Sequence, residues 1–373
     1  MKRYYLLLSI LCLMLCPMGV EAQTWKMVIT MSDGSQQEVS TADIKDIQYV
    51  QQMPRLEDRN VDQIIIKELY NGGVMLDDGS THFQFDKCII LYNNCPQQAV
   101  ANNLCIGMAA PANAQAQNNN YGTDGRLKYE KDKFIPAWNG IWYFPFSLVI
   151  EPYSQVVVNI CGAIDNTPTV SQSINYANAD YYCMYDPESG YNHTSYYPTP
   201  SAVIPTSHYL KAVRYAQGNG WPFSMSSPAV ILFQTQEVTP DVFATTADNY
   251  WYDGDKTDQI HTCVKVPNDW ILDGMEVYAM EKPDDCKKRL TADIDAGYVW
   301  LTNKMGHSLY RNVDKEFTES LPENSGKLVY GSTTDPSGID AEASIAAGAH
   351  IVYLDTNNST ADFHERPKCS LRD

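Results

Sequence analysis

The residues with the plainest chemical potential form an acidic run. Asp253-Gly254-Asp255-Lys256-Thr257-Asp258 sets carboxylates at relative positions 1, 3 and 6, an oxygen-rich pattern of the kind Ca2+ takes as ligands. Asp253, Asp255 and Asp258 are therefore candidate calcium ligands. The run lacks the glycine at position 6 and the glutamate at position 12 of an EF-hand, so an acidic solvated turn is the competing reading. Two aromatic clusters are the other candidates. One gathers Trp138, Trp142, Tyr143, Phe144 and Phe146. The other gathers Tyr181, Tyr182, Tyr185, Tyr191, Tyr196, Tyr197, Trp221 and Phe223. Exposed rings on a rigid scaffold can stack on sugars or seat a partner protein. Trp138, Trp142, Tyr191, Tyr196, Tyr197 and Trp221 are the candidate ligand-binding residues; ordinary burial in strands is the alternative.

Local catalytic signatures are missing. The sequence holds no P-loop, no Gly-rich dinucleotide fingerprint, no Gly-x-Ser-x-Gly and no His-Glu-x-x-His. The seven histidines (82, 193, 208, 261, 307, 350 and 364) show no metal-ligand spacing. No catalytic residue is assigned. An enzyme would need a site assembled from distant residues, as triads can be.

Composition and charge narrow the classes. The chain has 373 residues, 44% hydrophobic, 19% charged and 11% aromatic, with a net charge of −18. That is a globular composition. An acidic balance argues against nucleic acid and anionic membrane surfaces, which demand basic patches. No run of 18 apolar residues occurs, so no transmembrane segment is expected in the mature chain. Residues 1–22 read as a secretory signal peptide. Lys2 and Arg3 precede the apolar stretch Leu6 to Leu15, and Val20-Glu21-Ala22 predicts cleavage before Gln23. Leu11 and Leu15 precede Cys12 and Cys16 where a lipobox wants a small residue, which favours cleavage over lipidation. The expected location is periplasm, cell surface or medium. Eight cysteines remain after the leader, and export permits disulfides. Cys88 and Cys105 are expected on neighbouring strands as a candidate bridge.

The elements that must position these residues are mostly strands. Residues 23–50 read as a small β-hairpin unit. Trp25–Met31 alternates, Ser32-Asp33-Gly34-Ser35 turns, Gln36–Val39 returns, and Ser40 or Thr41 caps one turn before a third short strand through Ile44, Ile47 and Tyr49. Residues 51–60 read as a linker. From residue 61 short apolar runs alternate with turn residues: 61–70, 88–92, 104–108, 156–161, 181–185, 230–233, 263–266, 275–280, 298–301 and 350–354. No amphipathic helix of three turns stands out. Many short strands with frequent turns indicate a sandwich or barrel. Residues 111–135, rich in Asn, Gln, Ala and Gly, and 186–222, rich in Tyr, Pro and Ser, exceed ordinary loop length and read as insertions.

Several segments resemble the lamin-tail domain, an immunoglobulin-like β-sandwich. Ile64–Tyr70 is similar to its first strand and Asp86–Asn94 to its signature strand. Leu104–Gly107 is similar to the returning strand, Ile150-Glu151-Pro152 with Val156–Val158 to the next turn and strand. Ser173–Asp186, Ser308–Arg311 and Asp355–Phe363 resemble later elements. The arrangement resembles more closely still an uncharacterised family of secreted Bacteroidota proteins of unknown function, in which Asp-Thr-Asn-Asn-Ser, here Asp355–Ser359, is typical. The resemblance implies a mainly-β sandwich with large loop insertions over 61–373 and an export route. It implies no chemistry. The reading is an exported, non-catalytic binding or interaction protein of the bacterial cell envelope, with a polysaccharide or an outer-membrane protein complex as candidate partner. A secreted hydrolase with a non-local site and a purely structural envelope protein are the alternatives. No cofactor is expected beyond the candidate Ca2+.

Overall fold

The computed structural model describes residues 26–30, 35–44 and 63–372. The leader, the Asp33-Gly34 turn, the third strand expected through Ile47 and Tyr49, and the linker 51–60 lie outside them. The chain divides into two compact units, residues 1–50 and 51–373.

In the first unit β1 (Lys26–Thr30) and β2 (Gln36–Ser40) pair antiparallel, with Lys26 opposite Ser40. Lys26 Nζ meets Glu38 Oε2 at 2.8 Å. A single turn, Thr41–Asp43, follows without a side-chain cap from Ser40.

The second unit contains seventeen strands among its described residues. They are β3 (Ile64–Tyr70), β4 (Cys88–Asn93), β5 (Ala99–Ala101), β6 (Leu104–Met108), β7 (Phe134–Trp138), β8 (Gly140–Tyr143), β9 (Leu148–Ile150), β10 (Gln155–Asn159), β11 (Tyr182–Met184), β12 (Tyr209–Arg214), β13 (Ala229–Gln234), β14 (Tyr250–Tyr252), β15 (Thr262–Pro267), β16 (Ile271–Ala279), β17 (Val299–Leu301), β18 (Ser308–Arg311) and β19 (Phe363–Arg366). Four helices of four to six residues punctuate them: α1 (Pro240–Thr245), α2 (Lys315–Ser320), α3 (Ala341–Ala346) and α4 (Ser359–Asp362). No helix among the described residues is long and apolar enough to cross a membrane.

Twelve strands form one sheet in the order β17-β16-β13-β6-β8-β12-β11-β10-β4-β3-β18-β19. Its end strands β17 and β19 come alongside one another, so the sheet closes nearly into a barrel. Strand alternation fills it. Leu69, Ile89, Leu91, Ile106, Val158 and Leu232 point to one face and build the largest core cluster. The opposite face is covered too. Cys105, Ile231 and Phe233 pack on the small sheet β14-β15-β7, and Tyr70, Cys88 and Ile90 pack under the segment around Tyr176 and Cys369. Two covered faces explain why Cys88–Tyr92 is apolar throughout.

The mainly-β expectation holds, but the two stacked sheets expected from the resemblance are one continuous sheet. The reason lies in the segment read as an insertion, 186–222. Its stretch Tyr209–Arg214 forms β12, which pairs parallel with β11 and antiparallel with β8. Together β11 and β12 bridge β10 to β8 and join what would otherwise be separate sheets. Residues 111–133 carry no strand. The strand expected at 350–354 reduces to one bridge, Tyr353 to Val313.

Candidate functional site

The sequence-derived aromatic residues divide by burial. Trp142 and Tyr191 are 0% exposed and Trp221 1%; Tyr197 is also buried. Trp142 stacks on Tyr191 at 5.4 Å. Tyr191 donates to Asn139 Oδ1 at 2.7 Å, and Trp221 Nε1 donates to the Gly140 carbonyl at 3.1 Å. Burial pushes the Tyr191 and Tyr197 phenols upward. These four rings are barrel core, which corrects their assignment as ligand contacts: a ring sealed under neighbours has no face left for a sugar. Trp138 and Tyr196 are half-buried. Trp138 Nε1 donates to the Ile260 carbonyl at 2.8 Å, and Tyr196 lies edge-on to Phe85 at 5.1 Å. The six do not form one surface.

The acidic turn is tied up residue by residue. Asp253 accepts from Asn120 Nδ2 at 2.7 Å, Asp255 pairs with Lys128, and Asp258 accepts from the His261 backbone and ring. The bond from His261 holds the Asp258 carboxyl below its usual range. Among the described residues no three His, Cys, Asp or Glu side chains are grouped to hold a metal ion. Each of the three carboxylates thus has its own donor in the structure.

Cys88 on β4 and Cys105 on β6 are both buried and unbridged. Four strands lie between β4 and β6 in the sheet. At about 4.8 Å per strand that distance far exceeds the roughly 7 Å Cα reach of a disulfide. The neighbouring-strand expectation is corrected accordingly.

The structure builds a different site at the carboxyl end. β18 and β19 pair with Tyr310 opposite His364 and Ser308 opposite Arg366. Residues two apart on a strand share a face, so His364 and Arg366 project the same way, with Tyr310 between them. The Arg366 guanidinium lies over the Tyr310 ring at 4.5 Å. Past Pro367, Lys368 and Arg372 continue the wall. Facing them is the loop before α3. Its Gly331 N–H donates to the Gly338 carbonyl at 2.9 Å, and the Ser332 hydroxyl accepts from Asp335 N at 3.1 Å. Between the walls is a cavity of about 460 Å3, whose lining includes Ser332, Thr333, Thr334, Arg366, Lys368 and Arg372.

Both acids of the lining accept from backbone amides. Asp335 accepts from Ser337 N at 2.8 Å and Val313 N at 3.0 Å. Asp340 caps α3 by accepting from Ala343 N at 3.1 Å. His364 Nδ1 meets Asn312 Oδ1 at 2.6 Å, and burial pushes its pKa down to about 4, so the ring is neutral near pH 7. Tyr310 is anchored from behind: its hydroxyl donates to Glu342 Oε1 at 2.7 Å. Burial works against the Glu342 charge, but Lys67 at 2.7 Å and Tyr310 hold the carboxyl below its usual range. The tail is clamped in turn. Ser370 N donates to Glu68 Oε1 at 3.0 Å and Ser308 Oγ to the Lys368 carbonyl at 3.1 Å. The result is a concave, rigidly backed surface of mixed polar, charged and apolar groups, the form small-molecule sites take. The alternation His364-x-Arg366-x-Lys368 is the signal that sequence reading passed over. Nothing local shows that Tyr310 and Ser332–Asp335 stand opposite it.

A family model described as a protein of unknown function (DUF4876) matches residues 151–370, more than half of the chain. The chain belongs to the DUF4876 family. The matched region includes every wall of the cavity except Arg372. The DUF4876 chain is similar to the crystal structure of a DUF4876 family protein from Bacteroides thetaiotaomicron VPI-5482. Identity is 18%, the TM-score is 0.58, and the match covers 81% of this chain and 70% of that one. At that identity the likeness shows the fold. No curated protein matches the chain.

Proposed function

We propose that this DUF4876 protein is an exported, non-catalytic binding protein of the bacterial cell envelope that holds its ligand in the cavity beside Tyr310. The observation that carries the reading is the cavity itself. Its 460 Å3 lies in the range of small-molecule sites, and polar residues from separate chain segments line it. The leader pattern of residues 1–22 supports export. A polysaccharide end or an exposed segment of an outer-membrane protein complex is the candidate ligand. Within this reading, β3, β4 and β10 are the lamin-tail-like part of the barrel. The segments similar to the first and signature strands, β3 and β4, are neighbours in the sheet, with Tyr70 opposite Cys88.

The test is a glycan array and an envelope pull-down with the chain beginning at Gln23, beside Thr334→Trp, which fills the cavity. Capture by the parent and its loss in Thr334→Trp at unchanged melting temperature is the expected result. Equal capture by both would move the ligand elsewhere, and capture of nothing by the parent would overturn the reading.

A further inference from the structure

We infer that Cys88 and Cys369 form a disulfide that pins the segment 367–372, and with it one wall of the cavity, to the barrel sheet. The inference rests on the export reading proposed above, since an exported protein meets oxidants that a cytosolic one does not. Register is the first ground. Cys88 of β4 stands opposite Tyr70 of β3, Tyr70 opposite Ser308 of β18, and Ser308 opposite Arg366 of β19. The four make one row across the sheet, and residues directly opposite one another share a face. After Arg366 the chain turns at Pro367 and runs back along that row. The Lys368 carbonyl accepts from Ser308 Oγ at 3.1 Å, and Ser370 N donates to Glu68 Oε1 of β3 at 3.0 Å. Cys369 lies between those two anchors and is carried onto the residue that heads β4. Contact is the second ground. Cys88 and Cys369 are both 0% exposed and belong to one packed cluster with Tyr70, Ile90 and Tyr176. Inside it the Cys369 thiol is hydrogen-bonded to Cys88. A further approach of about 2 Å brings sulfurs in such contact to the S–S bond length. Cys161, the other thiol near Cys88, turns instead to the Gln84 carbonyl at 3.9 Å.

The step is thiol–disulfide exchange, and the oxidant is a small-molecule or protein disulfide. One cysteine loses its proton and its sulfur attacks the oxidant's S–S bond, which breaks and releases one thiol. The sulfur of the second cysteine then attacks the mixed disulfide and releases the other. Two cysteine thiols are oxidised to one S–S bond, and the oxidant is reduced to two thiols that carry away the two protons. Neither cysteine is exposed in the folded chain, so exchange precedes the docking of 367–372. Burial and the bond to Cys88 push the Cys369 thiol up, which slows attack by the docked thiol further.

The experiment is refolding of the chain beginning at Gln23 in mixed reduced and oxidised glutathione, then alkylation, non-reducing peptide mapping and thermal melting. The full 373-residue chain, acid-trapped in expressing bacterial cells, is mapped beside it. A linked Cys88–Cys369 peptide pair is expected in both. The refolded chain should melt about 5 °C or more above the same chain refolded under reductant, and Cys369→Ala should lose that dependence on reductant. Should Cys369→Ala fail to fold, the peptide map of the parent decides alone. Cys88 and Cys369 both alkylated in both samples, or Cys88 linked to Cys161, would overturn the inference and leave the binding role standing. A bridge with no gain in melting temperature would overturn the pinning. A bridge in the buffer but thiols in the cell would overturn the export reading, and the inference with it.

Discussion

The Arg311 guanidinium of β18 donates to the Asp273 carboxylate of β16, a strand with which β18 shares no ladder. The pair stands where the two ends of the barrel sheet meet. A register shift between Ile66 and Glu68 of β3 leaves the Ile66 amide for Asp273, at 2.6 Å, and the Ile66 carbonyl for Arg311 Nε, at 2.7 Å. Asp355 adds a second carboxylate to Arg311 at 3.0 Å. Side chains close the seam that backbone pairing leaves open. On its other side Glu365 of β19 accepts from Thr302 N at 2.5 Å and from its hydroxyl at 3.0 Å, just past β17.

Removing one partner from a buried ion pair leaves the other charge uncompensated, a loss of about 3–5 kcal/mol. Arg311→Met is expected to destabilise the protein by that amount, because Asp273 and Asp355 lose the positive charge between them. The midpoint of urea unfolding checks it. A change under about 1 kcal/mol would mean the seam does not depend on this pair.

Trp142 is expected to matter for stability and not for ligand contact. Truncating a fully buried large aromatic costs about 3–5 kcal/mol. Trp142→Ala should lower stability by that order, and any ligand affinity measured well below its melting temperature should stay within twofold.

Two buried groups should give opposite pH slopes. Burial pushes Asp86 up to about 6, against the bonds from Ser173 and Tyr70. The folded state therefore holds that proton more tightly than the unfolded chain. The resulting stability is complete below about pH 4 and lost as pH rises through 6, up to about 3 kcal/mol. Asp86→Asn should remove this fall. His364, pushed down to about 4, works the other way. Its contribution is present above about pH 6.5 and lost as pH drops through 4, and His364→Gln should flatten that limb. Melting temperatures from pH 4 to 8 for the parent and both variants check each sign.

Gly162 has φ of +77°, and a Cβ there would sit 1.8 Å from the Phe85 carbonyl oxygen. Left-handed backbone alone costs an alanine about 1–2 kcal/mol, and the clash adds to it. Gly162→Ala should therefore cost more than 2 kcal/mol in chemical denaturation, whereas Gly79→Ala, with open space around it, should show the backbone cost only.

What the sequence determined by itself was local. Leu104–Met108 is a strand with the expected ends, Cys88–Tyr92 needs one residue more, and the helices stay as short as the lack of 3.6-residue periodicity implies. Alternation, turn residues and caps act over a few positions, so a single chain segment displays them. The tertiary structure decided everything that depends on partners far away in sequence. It placed β12 in the middle of the sheet, sealed Trp142 and Trp221 in the core, and parted Cys88 from Cys105. It also set Tyr310, the loop 331–340 and the basic tail around one cavity. A side chain's type records that it can be buried, charged or paired, whereas which strand lies beside it is fixed only when every ladder in the barrel has found its neighbour.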